Sequence, residues 1–317
     1  MRISIVTLTL DTPVFFDETI ASLNGAGPFE LEHIVVHDGD DAYIRDLEQR
    51  CPEIKFLKGE GGGATLAAAH AVEAASGDFI LFLHSDDRLG PDALARLAAC
   101  AAARPEVKIW TGYARIFQTL PDGTEQTMRW LVDREATRLS LGNICDDIPL
   151  LSARFCHHSV FASVGNFDPA FSESSDREFL LRALIAGTPE APLDVQVSEL
   201  RYHEGSRTIH SRPGWVPPYF AEHIAMADDW LGRPGIGSDA RRFLRNWQAR
   251  EILRLGVYEC RAGDWKRGLG GMFSAALTDP LWIFRLGTVF MAHRRRLRND
   301  HPALTHPEVP AVGARTK

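Results

Sequence analysis

The amino-acid sequence predicts an α/β fold, in which a mostly parallel sheet carries helices on both faces and a helical extension follows at the C-terminus. Three observations predict this class. Apolar runs of strand length alternate with helical stretches in units of about 25–30 residues over the first third of the chain. Gly, Pro and Asp residues separate these segments. From about residue 215 onwards the pattern is helical instead, with Trp and Leu three or four residues apart.

The first half of the chain supplies the strands and helices of the predicted parallel sheet. The β-branched or apolar strands are residues 3–8, 33–36, 54–57 and 79–83. The helices are residues 15–23, a polar stretch that ends at Arg50, residues 64–76 and residues 91–103. Gly77 ends the third of these helices and Pro91 begins the fourth, in line with the backbone preferences of both residue types.

The second part of the chain changes character after about residue 105. A β-hairpin is predicted around the turn at residues 121–123, because Pro-Asp-Gly there separates two strand-like runs. The other elements are an apolar stretch at 155–164, a helix at 176–185, a strand at 195–202 and a helical pattern over 215–298 with breaks at 233–237 and 279–280. The resulting division is a domain at 1–210 with halves at 1–104 and 105–210, a helical region at 211–298 and a loose tail at 299–317.

The composition is that of a globular protein without a basic surplus. Of the 317 residues, 45% are hydrophobic and 24% are charged, and the net charge is −7. Nucleic acid is not an expected partner, because binding to a phosphate backbone usually needs an excess of Lys and Arg. The five Cys are odd in number and form no CxxC motif, which indicates reduced thiols. The short apolar run at the N-terminus lacks the features of a signal peptide, so a cytoplasmic location is expected.

Acidic residues follow three of the predicted strands. Asp11 follows the first, Asp38 and Asp40 follow the second, and Asp86 and Asp87 follow the fourth. Ligands of open parallel sheets bind outside the carboxyl ends of the strands, so these side chains are candidates for one shared site. Capping of the next helix explains a single Asp equally well. It explains the adjacent pair less well, because neighbouring carboxylates repel unless they share a cation, such as a divalent ion that also binds phosphates.

Eight short segments carry a resemblance to a known enzyme family. In the first half they are Ser-Ile-Val-Thr at 4–7, His-Ile-Val-Val-His-Asp-Gly at 33–39, Ala-Ser-Gly-Asp at 75–78 and Phe-Leu-His-Ser-Asp-Asp at 82–87. In the second half they lie at 156–161, 165–168, 175–182 and 201–208. In their order and spacing they resemble family 2 glycosyltransferases, over roughly residues 1–210. The resemblance implies the GT-A fold, a Rossmann-like sheet, and inverting transfer of a sugar from a nucleotide-diphosphate donor, expected to be a UDP-sugar, to a hydroxyl acceptor.

The resemblance also implies roles for individual residues. Asp38 matches the aspartate that binds the nucleobase, and Asp176 matches the general base that takes the proton of the acceptor. The expected donor-binding residues are Thr7, Thr9, Asp11, Asp38, Asp86 and Arg207. The expected ligands of a Mn²⁺ or Mg²⁺ ion are Asp86, Asp87 and His203. His157 is expected on the acceptor side, because neighbouring residues of a strand point to opposite faces and either it or His158 would then face the cleft.

Two positions depart from the family pattern. His84 stands where the family often has an acid, and Ser175 stands where many members have Glu. Imidazole suits transition metals, so His84 and His203 favour Mn²⁺ modestly over Mg²⁺. The departures keep open a catalytically inactive glycan-binding or nucleotide-sugar-binding scaffold of the same fold. A nucleotidyltransferase is a further alternative, although residues 6–13 contain none of the Lys or Arg that such a site would need.

The C-terminal segment at 265–298 is both basic and apolar. It contains seven Lys or Arg and one acid, Asp279, which gives a net charge of +6. Its apolar runs are too short to span a membrane, which takes about 20 residues. Residues 279–298 therefore fit either an interfacial helix at the inner face of a membrane or an ordinary amphipathic helix that closes the catalytic domain. Peripheral membrane contact would make a lipid-linked glycan an attractive acceptor.

Overall fold

The computed structural model of the chain describes residues 1–9, 14–23, 27–39, 41–131, 138–146, 149–203 and 216–278. The segment at 279–298, with its expected membrane contact, and the tail at 299–317 lie outside the described residues. Within the described ranges, no helix combines the length and the apolar character that crossing a lipid bilayer requires.

One sheet of nine strands forms the centre of the described part of the chain. The strands are β1 (Arg2–Thr9), β2 (Glu30–His37), β3 (Lys55–Lys58), β4 (Phe79–Phe82), β5 (Arg88–Leu89), β6 (Ile109–Thr119), β7 (Glu125–Leu131), β8 (Arg154–His157) and β9 (Glu190–Arg201). The helices are α1 (Phe16–Ser22), α2 (Asp41–Arg50), α3 (Gly63–Ala74), α4 (Ala93–Ala103), α5 (Leu141–Asp146), α6 (His158–Val164), α7 (Ser175–Ile185), α8 (Val216–Gly232), α9 (Ser238–Arg261) and α10 (Trp265–Thr278). The alternating strands and helices predicted for the first half are confirmed.

The sheet is mostly parallel, as predicted. The strand order is β3-β2-β1-β4-β8-β6-β9-β5, and β7 pairs with β6. Neighbouring strands among β1, β2, β3 and β4 are parallel, and so are β6 and β9. β8 runs antiparallel between β4 and β6, and β5 and β7 each run antiparallel to their partners. The fold class is therefore confirmed, as an α/β sheet with antiparallel strands in its second half.

The carboxyl ends of the first four strands lie at one edge of the sheet. Thr9, the last residue of β1, lies opposite His37, the last residue of β2. His37 in turn lies opposite Lys58, and Val6 lies opposite Phe82 at the end of β4. The segments that follow these strands, including Asp38 and Asp86, begin at this edge, which we call the carboxyl edge.

The C-terminal helices share a hydrophobic core with one face of the sheet. Trp230 of α8 and Trp247 of α9 belong to the same buried cluster as Phe82 of β4 and Phe179 of α7. Trp247 is 1% exposed and Phe179 is fully buried. Full burial of such a side chain stabilises a fold by about 1.5–3 kcal/mol. This packing therefore holds α8 and α9 against the core that they share with α7. The division of the chain at residue 210 stays a prediction.

Two local predictions need correction. His157 and His158 do not lie on the same strand, since β8 ends at His157 and α6 begins at His158. The two imidazole rings therefore do not point to opposite faces; they stack, with centroids 4.6 Å apart. The helical pattern after residue 237 also contains a break that was not predicted. Gly263 adopts a φ of +94° between α9 and α10, a conformation that favours glycine and lets the chain reverse.

Candidate active site

Asp38 is held at the carboxyl edge by a loop rich in glycine. Its backbone N–H donates to the carbonyl oxygen of Thr9 at 3.2 Å, which fixes the residue beside the end of β1. Its carboxylate Oδ1 accepts a hydrogen bond from the N–H of Gly61 at 3.2 Å. A Cβ on Gly59 would overlap the same oxygen, so the carboxylate occupies space that only glycine leaves open. Asp38 stays half-buried, with access to a ligand at this edge.

Thr7 and Thr9 differ in whether their positions leave room for contact with a donor. Thr7 is fully buried, and its Oγ1 lies 3.0 Å from Nε2 of His33 on the neighbouring strand. Its hydroxyl therefore supports the pairing of β1 with β2 and does not face a donor, which corrects the role expected for this side chain. Thr9 is 8% exposed and ends β1 at the carboxyl edge, next to Asp38. Its donor contact stays a prediction.

Asp86 and His203 form a close pair of potential metal ligands. Nε2 of His203 lies 2.8 Å from Oδ2 of Asp86, and both side chains are about one-third exposed. Asp86 follows β4, whereas His203 follows β9, so the pair joins two distant segments of the chain. The ring of Phe15 lies 5.4 Å from the imidazole of His203 and limits its orientation. A carboxylate oxygen and an imidazole nitrogen are ligand types that suit a divalent transition-metal ion.

Asp87 is buried and points away from this pair. It is 4% exposed, and its Oδ1 accepts the backbone N–H of Arg201 at 2.8 Å. Burial, together with the charge of Asp86, raises the pKa of Asp87 well above its usual range. Within the described ranges, no group of three or more His, Cys, Asp or Glu side chains is arranged to hold a metal ion. Asp87 therefore anchors the loop through Arg201, and the metal-binding roles of Asp86 and His203 stay predictions.

Arg201 holds the Asp86–Asp87 segment in place, a role that the sequence analysis missed. Its Nε donates to the carbonyl oxygen of Asp86 at 3.1 Å. Its Nη1 donates to Thr119 at 2.8 Å, and its Nη2 donates to Glu18 at 2.5 Å. The guanidinium group also stacks over the ring of Phe117, 4.7 Å from the centroid. With 3% of the residue exposed, this arginine is a fixed support for the loop.

Asp176 lies in the first turn of α7 and is surrounded by protein, although part of the residue still reaches solvent. Its Oδ1 accepts the backbone N–H of Arg177 at 2.7 Å, so the carboxylate has a fixed direction. Burial raises the pKa of Asp176, while the positive charge of Arg177 and, more weakly, that of His84 oppose the rise. The side chain of His84, which interacts with Asp176, follows β4 and comes two residues before Asp86.

The start of α7 is tied to the rest of the fold on two sides. Oγ1 of Thr65, in the first turn of α3, lies 3.1 Å from the hydroxyl of Ser175 and 3.2 Å from the carbonyl oxygen of Ser172. On the other side, Glu222 of α8 accepts the backbone N–H of Glu173 at 2.9 Å. Ser175 stands where many members of the family it resembles have Glu, and its hydroxyl bonds to Thr65 of α3. These contacts hold Asp176 on a rigid helix start.

A buried polar chain continues from α7 into the C-terminal helices. Nη2 of Arg177 donates to the hydroxyl of Tyr219 at 2.6 Å, and burial raises the pKa of Tyr219. The ring of Tyr219 packs against His223, whose Nδ1 lies 3.1 Å from Oε2 of the fully buried Glu251. Sequence reasoning did not find these residues, because they lie in a helical pattern without a local motif. They make α8 and α9 part of the support of Asp176.

Three other site predictions have different outcomes. His157 pairs with Phe79, the first residue of β4, so it lies at the edge of the sheet opposite Asp86. Its imidazole Nδ1 accepts the N–H of Ser159 at 3.2 Å and caps α6, and the expected acceptor role is corrected for this reason. Asp11 and Arg207 lie outside the described residues, and their donor-binding roles stay predictions.

Comparison with known proteins finds a family model and related sequences. Residues 4–156 match the family model described as Glycosyl transferase family 2. The chain is 27% identical over 202 residues to the uncharacterized glycosyltransferase Rv1514c of Mycobacterium tuberculosis, a match that covers 59% of this chain and 70% of the relative. It is 28% identical over 128 residues to the putative teichuronic acid biosynthesis glycosyltransferase TuaG of Bacillus subtilis, over 38% of this chain and 49% of the relative.

A solved structure extends the likeness over most of the chain. The crystal structure of S. aureus TarS 1-349 in complex with UDP-GlcNAc superposes with a TM-score of 0.60 at 17% identity, and the match covers 93% of this chain and 92% of that one. At this identity the likeness concerns the fold, which is the GT-A fold that the sequence predicts. The match over residues 4–156 and the related glycosyltransferases place this part of the chain in glycosyl transferase family 2.

Proposed function

We propose that this family member is an inverting, metal-dependent transferase that moves a sugar from a nucleotide-diphosphate donor, a UDP-sugar, to a hydroxyl group of a saccharide acceptor. The observation that carries the proposal is the convergence of Asp38, the Asp86–His203 pair and Asp176 at the carboxyl edge, where Ser175 of α7 bonds to Thr65 at the start of α3. Each comes from a different part of the chain, and each offers a different function that the reaction needs.

The donor site is built around Asp38. A half-buried carboxylate with one oxygen on Gly61 has acceptor capacity left for an N–H group of a nucleobase, and uracil offers such a group. The complex of TarS with UDP-GlcNAc supports a uridine nucleotide as the donor class for this fold. The diphosphate of such a donor would extend from Asp38 along the edge toward Asp86.

Asp86 and His203 are the residues that would hold a divalent ion beside the diphosphate. When bound there, the ion supplies Lewis-acid stabilisation of the negative charge that develops on the leaving phosphate. The chain itself fixes the position of Asp86 relative to His203, because Arg201 bonds to the backbone of Asp86 and is only two residues from His203. The mixed oxygen and nitrogen donors favour Mn²⁺ over Mg²⁺.

Asp176 acts as the general base. A hydroxyl group is a weak nucleophile near neutral pH, and removal of its proton by a positioned carboxylate accelerates attack by typically 10²–10⁴-fold. The raised pKa of Asp176 makes its carboxylate a stronger base than an exposed aspartate. Attack from the side of Asp176, opposite the leaving diphosphate, inverts the configuration at the sugar carbon. The acceptor is proposed to be a growing polysaccharide or glycoconjugate, and the relative TuaG supports this choice through its putative role in teichuronic acid biosynthesis.

The test is release of UDP from a panel of UDP-sugars in the presence of Mn²⁺ and mixed saccharide acceptors. We expect turnover by the unaltered chain, a loss of 10²–10⁴-fold in kcat for Asp176→Asn, and donor binding that survives in this variant. Asp239→Asn is a matched control, because its carboxylate is 90% exposed on α9 and contacts only Arg242 in the described structure. Tight donor binding without turnover under every condition would instead assign the chain to the inactive scaffold class.

A further inference from the structure

Helix α10 packs on α9 through a face of small residues. Gly268 is buried there, and a Cβ at this position would lie 2.6 Å from the carbonyl oxygen of Gly256 on α9. A Cβ on Gly256 would likewise lie 2.8 Å from the carbonyl oxygen of Gly268. Because both backbones approach so closely, the rotation of α10 about its own axis is fixed. The side chains on its other face therefore have a defined direction.

That other face is a stripe of large apolar side chains that no described residue covers. Trp265, Leu269, Phe273 and Leu277 are 64%, 57%, 68% and 73% exposed. They are four residues apart and therefore lie along one side of the helix. Only eight large hydrophobic residues are exposed in the described part of the chain, and these four are half of them. We call this set the α10 stripe.

Basic residues border the α10 stripe. At about 100° per residue, Lys266 falls within the arc of the helix surface between Trp265 and Leu277. Arg267 lies outside this arc, beyond its Leu277 side. Both are exposed, as is Arg261 at the end of α9. The nearby acid Asp264 accepts the backbone N–H of Arg267 at 3.1 Å and caps the helix. An exposed apolar face with flanking cations is the pattern of helices that lie in the interface of a bilayer, with aromatic rings at the level of the head groups.

We propose that the α10 stripe docks the protein on the surface of an anionic lipid bilayer. The charge favours lipid, since each Lys or Arg near an anionic membrane surface adds to the attraction. The sequence that follows α10 adds five Arg between residues 285 and 298 against the single acid Asp279. The area argues against a second copy of the chain. Four side chains of this exposure offer on the order of 500 Å², whereas a stable dimer buries about 800 Å² on each partner.

The experiment is flotation of the full chain with vesicles of phosphatidylcholine alone or mixed with phosphatidylglycerol. We expect binding to the anionic vesicles only. The double substitution Trp265→Ser, Phe273→Ser is expected to reduce the bound fraction by about tenfold or more, because it removes two aromatic side chains from the stripe. Lys266→Ala with Arg267→Ala is expected to weaken binding in a salt-dependent way. Leu31→Ser and Arg242→Ala are the matched controls, since these exposed residues lie away from α10.

Three outcomes overturn the proposal. The first is equal flotation of the unaltered chain and the stripe variant. The second is loss of binding on substitution of the three Arg at 294–296 but not of the stripe, which would place membrane contact in the C-terminal segment alone. The third is a concentration-dependent dimer, measured by light scattering, that the stripe variant abolishes, which would assign the stripe to a second copy. Equal urea midpoints for the unaltered chain and each variant show that folding is intact.

Discussion

Arg201 donates its backbone N–H to Oδ1 of Asp87 at 2.8 Å and, through its side chain, also binds the carbonyl oxygen of Asp86 at 3.1 Å. One residue at the end of β9 thus holds both members of the acidic pair that follows β4. His203 is two residues further along the same segment. Arg201 therefore sets the distance between the two proposed metal ligands, although the family resemblance assigns no role to this residue.

Substitution Arg201→Lys is expected to weaken metal binding. Lysine keeps a positive charge but lacks the planar fork that reaches Thr119, Glu18 and the backbone of Asp86 together. Loss of a charge-assisted hydrogen bond costs about 1.5–3 kcal/mol, which corresponds to a rise of roughly ten- to a hundredfold in the apparent Kd for Mn²⁺. Calorimetric titration with Mn²⁺ in the presence of UDP measures this change.

The control for this prediction is Arg115→Lys. Arg115 also stacks over the ring of Phe117 and pairs with Glu125 and Glu199, but it makes no described contact with Asp86 or Asp87. It is expected to change stability without changing the Kd for Mn²⁺. Equal shifts in Mn²⁺ affinity for both variants would show that Arg201 acts only through general stability.

Substitution Gly59→Ala is expected to impair donor binding with little effect on folding. The added Cβ overlaps Oδ1 of Asp38, and the carboxylate, as the end of a flexible side chain, can rotate away. Rotation removes its hydrogen bond from Gly61 and moves it from the proposed nucleobase site. We expect the Kd for UDP to rise about tenfold, the equivalent of one or two hydrogen bonds.

Gly62→Ala serves as the comparison for the donor prediction. A Cβ at this position meets the side chain of Leu66, which is 43% exposed, and does not approach Asp38. It is expected to leave the Kd for UDP within about twofold of the unaltered chain. Thermal shift on addition of UDP measures both variants. A normal response of Gly59→Ala would remove Asp38 from the donor site.

The pH dependence of the reaction is expected to report Asp176. Its pKa is raised by burial above the ordinary value of 3.8, and only the deprotonated carboxylate can accept the proton of the acceptor. Activity should therefore decline as pH falls through this raised pKa, and the acidic limb of kcat/KM should lie above the range of an exposed aspartate. Saturating Mn²⁺ at each pH separates this limb from changes in metal occupancy. The residual activity of Asp176→Asn should lack this acidic limb.

The sequence predicts which segments meet at the carboxyl edge far better than which side chains face it. Asp38 and Asp86 follow strands with clear hydrophobic patterns, and parallel strands end at the same edge of a sheet. Asp176 lies in the first turn of α7, and its position at this edge depends on the contact of Ser175 with Thr65. The orientation of Thr7 and the position of His157 depend on pairing with His33 and with Phe79, which local patterns do not encode. β8 enters the sheet antiparallel between β4 and β6, and this insertion moves His157 to the opposite edge.

Buried supporting residues were missed for a related reason. Arg201 and Tyr219 resemble ordinary members of a strand and of a helix, and their contacts join segments 80 or more and 42 residues apart. No local signal marks Arg201, because β9 also contains Glu190, Asp194 and Glu199, so a charged residue at its end is not unusual. Supporting contacts of this kind become visible only when the tertiary structure brings the partners together.

His33 makes the stability of the fold sensitive to mild acid. Burial lowers its pKa from 6.5 to about 4, so between these values the unfolded chain binds a proton that the folded chain does not. The free energy of unfolding should therefore fall as pH drops from 6.5 to 4, by about 3 kcal/mol at most. His33→Gln retains a partner for Thr7 but does not titrate. Urea denaturation should show a shallower pH dependence for this variant over that interval, and identical slopes would refute the assignment.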